Sequence, residues 1–170
     1  MLKNRYLNTK LLNLKQLEDK VNLLKKNKKK IVLCHGCFDI LHWGHAIHFN
    51  NARKLGDKLF VTLTKDKFIK KGPNRPIFNH KERAYLVSQL SCVDFVSINN
   101  QSTALDVINI IKPNVYVKGI EYKKIKLKKN KNFLQEKKLV KFFGGKVIFT
   151  KGKRSSSTLA VKKLYDSKKI

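Results

Sequence analysis

Residues 29–49 read KKIVLCHGCFDILHWGHAIHF. After two lysines comes IVLC, apolar at every position. A half-exposed strand would alternate, so this run predicts a short strand buried on both faces, as strands of parallel sheets are. Gly36 follows, where the missing Cβ lets the backbone turn tightly and lets a ligand come close. A helix is expected to follow Gly44 and to run to about Gly56, placed as its C-cap. Strand, glycine turn and helix start make the first half of a βαβ unit.

The pattern repeats downstream. KLFVTLT (58–64), VDFVSI (93–98), NVYVKG (114–119) and KVIFT (146–150) read as four more strands. Helices are expected between them. One is capped by Asn79 with Glu82 three positions on, a capping-box spacing, and runs to about Leu90. Another spans 103–112 and is stopped by Pro113. A third spans 133–143 and ends at Gly144–Gly145, and a last one covers 155–168. Residues 65–78 (KDKFIKKGPNRPIF) form a basic loop with a turn at Gly72–Pro73, and 120–130 form a Lys-rich loop. Upstream, Leu11, Leu12, Leu14, Leu17, Val21 and Leu24 lie near helical spacing. They predict one amphipathic helix within 1–29, ended by the Lys25–Lys30 run. The expected architecture is therefore α/β: a single Rossmann-like domain over 30–170, with a five-stranded parallel sheet and helices on both faces, preceded by an N-terminal helical extension over 1–29. In such sheets ligands bind outside the carboxyl ends of the strands, so chemistry is sought in the loops that follow them.

With 170 residues the chain is one domain's worth, and its 42% hydrophobic content suffices for a core. No apolar run approaches the ~18 residues of a membrane span, and the N-terminus lacks the apolar segment of a secretory signal. The formal net charge is +28, from 39 Lys+Arg against 11 Asp+Glu. Only 5 of the 39 cations are Arg, leaving 34 Lys spread from end to end. Base and phosphate readers favour the bidentate Arg fork, so the charge is read as a solvated surface that also steers small anions. No specific nucleic-acid partner and no membrane are expected. A Lys-rich nucleic-acid-binding protein on a degenerate scaffold is the alternative of another class.

Three cysteines and no export signal point to a reducing compartment, and the cytoplasm is expected. Cys34 and Cys37 form a CxxC close to His42 and His45. A structural zinc finger usually separates its Cys and His pairs by about 12 residues, so no metal site is assigned.

His42 and His45 flank Gly44 at the expected start of a helix. Free backbone amides and the positive end of the helix dipole gather there, and imidazoles donating to phosphate oxygens would complete an anion clamp. His48, one turn on, is expected to pack, and Trp43 is read as packing rather than stacking on a base.

GCFDILHWGH resembles the (T/C)FDxxHxGH signature of cytidylyltransferase-like nucleotidyltransferases. KKGPNRPIFNHKERAYLVSQLSCVDFV is similar to the KGPGRPV…ER…L..L.CVD stretch of the heptose-1-phosphate adenylyltransferases. IKPNVYVKGIEY resembles their LKPDVLVKGGDY, and GGKVIFTKGKRSSSTLAVKKL their GGEVV…(Y/F)STTAIIERI. The resemblance implies transfer of a nucleotidyl group from an NTP, ATP above all, to a phosphorylated sugar or polyol, with release of pyrophosphate. It implies catalytic roles for His42, His45 and Lys71. It implies nucleotide contacts from Gly36, Cys37, Phe38, Asp39, Gly44, Lys118, Gly119, Glu121, Ser156, Ser157 and Thr158, and a substrate contact from Arg75. Asp66 and Glu82 are the carboxylates available to hold the cations of the 65–78 loop. Mg²⁺ is expected to arrive with the NTP. A separate sugar kinase supplying the acceptor and a homodimer are expected as well. CTP-dependent transfer to glycerol 3-phosphate or another polyol phosphate is the alternative within the class.

Overall fold

Five apolar runs of the chain do line up side by side, and a sixth, shorter strand joins them. In the computed structural model, which describes residues 9–120, 122 and 130–150, the strands are β1 (Leu11–Leu12), β2 (Ile31–Gly36), β3 (Lys58–Thr64), β4 (Phe95–Asn99), β5 (Val115–Gly119) and β6 (Lys146–Thr150). The helices are α1 (Leu14–Lys26), α2 (Trp43–Arg53), α3 (His80–Ser88), α4 (Leu105–Ile111) and α5 (Lys131–Phe142), with one 3₁₀ turn at Asp66–Phe68. The sheet is parallel throughout, in the order β1-β4-β3-β2-β5-β6.

Alternation along each strand sends side chains into two separate cores. Val32, Cys34, Val61 and Val117 face α2 and α3, meeting Phe49, Ala52, Ala84 and Val87. Ile31, Leu33, Phe60 and Tyr116 face the opposite way, toward Leu17 and Val21 of α1, Val107 and Ile111 of α4, and Phe133 and Val140 of α5. Both faces of the sheet are thus covered by helices, which is why the strands read as unbroken apolar runs.

The five-strand expectation is corrected by β1. Leu11 and Leu12 are not the first turn of a helix; they pair with Val96 and Ser97 at the β4 edge. Asn13 separates the two structures. Its side chain accepts from the Gln16 amide at 2.9 Å while the Gln16 side chain accepts from the Asn13 amide at 2.9 Å, a capping box that starts α1 at Leu14. The apolar spacing continued across that cap, and only the open edge of β4 decides that the residues before it are extended. The second correction concerns Gly56. α2 ends at Arg53 with Lys54 as its cap, and Gly56 serves close approach instead: a Cβ there would lie 2.7 Å from Val32 Cγ2 and 2.8 Å from the Lys30 carbonyl. The expected helix over 155–168 lies outside the described residues.

The order of the sheet places the site. From β2 the chain steps outward through β3 to β4, then crosses back to lay β5 on the other flank of β2 and β6 beyond it. The switch point is therefore between β2 and β5, at their carboxyl ends.

Candidate active site

β2 delivers its last residues to that edge, and the next six form the loop into α2. Phe38 takes a left-handed backbone (φ 48°) and turns its ring inward. It packs edge-on against His45 (5.2 Å between centroids) and against Phe49 (4.9 Å). A Cβ on Gly36 would meet that ring at 3.0 Å. Asp39 is only 1% exposed. One of its oxygens takes Arg75 Nε and the other accepts from the amides of Ile77 (2.7 Å) and Phe78 (3.4 Å). Phe38 is thus a wedge under the loop, and Asp39 a peg that ties the 65–78 loop to it.

His42 is the N-cap of α2, and its Nδ1 accepts from the Gly44 amide at 3.1 Å. That bond leaves the proton of the neutral ring on Nε2, the nitrogen able to donate to a ligand. His45 stacks on His42 with centroids 3.8 Å apart and planes 25° apart. Its Nδ1 is buried without a hydrogen bond of good geometry. Burial, and then the Lys71 ammonium, lowers the pKa of His42. Burial lowers that of His45 to about 3, with His42, His48 and Lys71 adding to it. Both rings are neutral at pH 7, and the Lys71 ammonium acts on both of them.

His48 does more than pack. Its Nδ1 lies 2.6 Å from Thr150 Oγ1, pinning the end of β6 to α2. Burial and then Lys118 lower its pKa to about 4. Lys118 is buried, with Nζ 3.4 Å from Glu136 Oε2 and 3.4 Å from the His35 carbonyl oxygen. Gly119 ends β5 opposite Thr150. Trp43, the first residue of α2, is 54% exposed.

The carboxylates take partners other than those expected. Asp39, not Asp66 or Glu82, holds Arg75. Glu82 closes the α3 capping box on Asn79. Asp66 binds His80 Nδ1 (2.5 Å) and Arg83 (2.7 Å), and the His80 and Arg83 bonds lower its pKa against burial, the largest influence, which raises it. Arg83 received no role from the sequence although it lies in the quoted ER pair. It is 1% exposed and donates to the carbonyls of Phe78 (3.0 Å), Thr64 (2.8 Å) and Cys37, as well as to Asp66. It clamps the signature loop, the end of β3 and the start of α3 together. Cys37 is half-buried and burial raises its thiol pKa despite Lys71, Arg83 and Arg75. Cys34 is fully buried in the core, and burial raises its thiol pKa. Among the described residues no group of three or more His, Cys, Asp or Glu could hold a metal ion. Glu121, Ser156, Ser157 and Thr158 lie outside the described residues.

The arrangement offers an imidazole N–H group and a helix N-terminus beyond the carboxyl end of β2, in the field of a lysine. Such a set neutralises charge on phosphate oxygens. No described helix is long and apolar enough to cross a membrane.

Residues 33–163 match the family model described as Cytidylyltransferase-like. Among curated proteins, the chain is 46% identical over 108 residues to the "Bifunctional protein HldE" of Helicobacter acinonychis, covering 62% of this chain and 23% of that protein. It is 40% identical over 134 residues to the protein of the same name from Campylobacter jejuni, covering 78% of this chain and 29% of that one. The chain thus spans roughly a quarter of the length of these relatives. Two solved structures share the fold. One is a lipopolysaccharide core biosynthesis protein from Thermoplasma volcanium (TM-score 0.59, 24% identity, 75% of this chain and 99% of that one). The other is a pantoate-beta-alanine ligase from Francisella tularensis, complexed with an ATP ligand and beta-alanine (TM-score 0.62, 19% identity, 86% of this chain and 68% of that one). With its family match running from β2 past β6 and His42-x-Gly44-His45 at the head of α2, the chain belongs to the cytidylyltransferase-like family of nucleotidyltransferases.

Proposed function

We propose that this protein transfers AMP from ATP to the phosphate of a sugar phosphate such as heptose 1-phosphate. An acceptor phosphate oxygen attacks the α-phosphorus, the bond from that phosphorus to the bridging oxygen breaks, and pyrophosphate leaves with the electron pair. The acceptor is largely dianionic at neutral pH, its second pKa being about 6, so no general base is required. Catalysis reduces to alignment and charge neutralisation. The observation that carries the reading is the stacked, neutral His42–His45 pair at the α2 N-terminus within the field of Lys71. His42 Nε2–H donates to a phosphate oxygen, and the developing charge is met by rings that can gain positive character beside it. Mg²⁺ enters as part of the substrate, chelated by the triphosphate. The donor set fits that role, since Asp39, the carboxylate of the signature loop, is committed to Arg75 and two amides. The phosphorylated acceptor must come from a sugar kinase reaction, and a homodimer is part of the same proposal.

The test is pyrophosphate release with ATP, CTP and GTP against heptose 1-phosphate and glycerol 3-phosphate. ATP with the sugar phosphate is expected to give the highest kcat/KM, and His45→Ala is expected to lower kcat by about 10²–10³. No turnover with any pair, or full turnover in His45→Ala, would refute the reading. Preference for CTP with glycerol 3-phosphate would replace it with cytidylyl transfer.

A further inference from the structure

The pairing of β2 with β5 runs from Val32↔Val115 to Cys34↔Val117, whereas the pairing of β2 with β3 continues to Gly36↔Leu63. Past Cys34 and Val117 the two strands at the switch point are no longer partners, which is where an open α/β sheet has its ligand crevice. Lys118 is the first residue of β5 beyond the last pair. Its ammonium reaches across to the His35 carbonyl oxygen at 3.4 Å, so a side-chain cation stands where the next ladder bond would be.

That cation is built in from below. Lys118 is 5% exposed, and its Nζ sits 5.0 Å, 4.8 Å and 5.9 Å from the ring centroids of Tyr116, Tyr122 and Phe133. Glu136, on α5 and 4% exposed, lies 3.4 Å away. Its Oε1 accepts from the Ala104 amide at 3.0 Å, and its Oε2 accepts from the Tyr116 hydroxyl at 2.9 Å. The head of α4 and β5 therefore fix the carboxylate, and the carboxylate with the rings fixes the ammonium. Burying such a pair rarely stabilises a fold more than apolar residues of equal volume would. The charge is felt across the crevice: after burial, Lys118 is the next influence lowering the pKa of both His35 and His48.

We propose that Glu136 is a positioning residue for the nucleotide: it holds the Lys118 ammonium at the floor of the β2/β5 crevice, so that one fixed positive charge meets the polyphosphate of the NTP. This rests on the nucleotidyl-transfer reading above and assigns a role to a residue 18 positions beyond Lys118, on a helix outside the signature motifs. A lysine has a flexible four-carbon stem and tends toward water. Without the carboxylate the ammonium is free to leave the floor, and binding must then order it again.

The experiment compares Lys118→Met, Glu136→Gln, Glu136→Asp and the double variant Lys118→Met/Glu136→Gln in the full chain. Glu136→Gln alone strands a buried ammonium and is expected to lower Tm. The double variant removes both charges and is expected to recover Tm. Its KM for ATP is nonetheless expected to rise about tenfold, the loss of one charge-assisted contact, with the acceptor KM unchanged. Adding Glu136→Gln to Lys118→Met is expected to change the KM for ATP no further. A purely structural pair predicts recovered Tm with wild-type KM, and that result overturns the proposal. If the double variant does not fold, Glu136→Asp decides, since its shortened carboxylate keeps the charge but withdraws it from Lys118; an unchanged KM for ATP there overturns the proposal too. Wild-type protein without turnover would instead sink the underlying reading, so the two failures are distinct.

Discussion

Acid should unfold this protein well above the carboxylate range, and His35 shows why. The ring is buried on β2, with Nδ1 2.9 Å from Thr62 Oγ1 and Nε2 3.3 Å from Thr64 Oγ1. Burial, then the nearby Lys118, lowers its pKa from 6.5 to about 3. The folded state keeps the ring neutral down to that value, while the unfolded chain takes up a proton near 6.5. Stability from this group is therefore complete above pH 6.5 and is lost progressively as pH falls toward 3. Each unit is worth about 1.4 kcal/mol, so moving from neutral pH to about pH 5 should remove about 2 kcal/mol through His35 alone. His45 and His48, lowered to about 3 and about 4, act in the same window and direction. The assay is urea unfolding across a pH series in wild type and in His35→Gln, whose amide can still face Thr62 but cannot titrate. The variant should lose about 2 kcal/mol less than wild type between pH 7 and pH 5. Equal losses in the two proteins would refute the reasoning.

Arg83→Met removes a guanidinium bound to three carbonyls and Asp66; it should cost about 3–5 kcal/mol in chemical denaturation, and a loss below about 1 kcal/mol would show that the clamp does not hold the loop. Lys71→Gln should move the His42 pKa upward in an NMR titration, because the Lys71 ammonium is one of the two causes that lower it; an unmoved titration would place Lys71 away from the pair. Gly145→Ala puts a Cβ 2.2 Å from the Pro113 carbonyl and 3.0 Å from Val140 Cγ1, and should lower stability by about 1–3 kcal/mol; an unchanged unfolding midpoint would mean the α5–β6 turn shifts freely.

Much of the site could be located before any tertiary contact was known. His42, Gly44 and His45 are neighbours in the chain, so a helix beginning there brings them together on its own. Their partners could not be read the same way. Arg75 and Asp39 are 36 residues apart, and Arg83 and the Cys37 carbonyl 46 apart. Nothing in either segment says which carboxylate or carbonyl a buried guanidinium will reach, and Asp66 and Glu82, nearer in sequence, are available as alternatives. Arg83 did carry one signal: an arginine three residues into a helix whose neighbours Ala84 and Val87 are core.

Local chemistry therefore determined the elements themselves. Unbroken apolar runs make buried strands, Asn79 and Glu82 cap α3, and His42 caps α2, because each effect acts within a few residues. Folding alone decided the rest. Leu11 and Leu12 become a strand only because β4 offers an open edge, and Lys118 meets Glu136 only because α5 packs over β5. Edge pairing and the pairing of buried charges depend on where distant segments stop in space, and no short window of sequence carries that information.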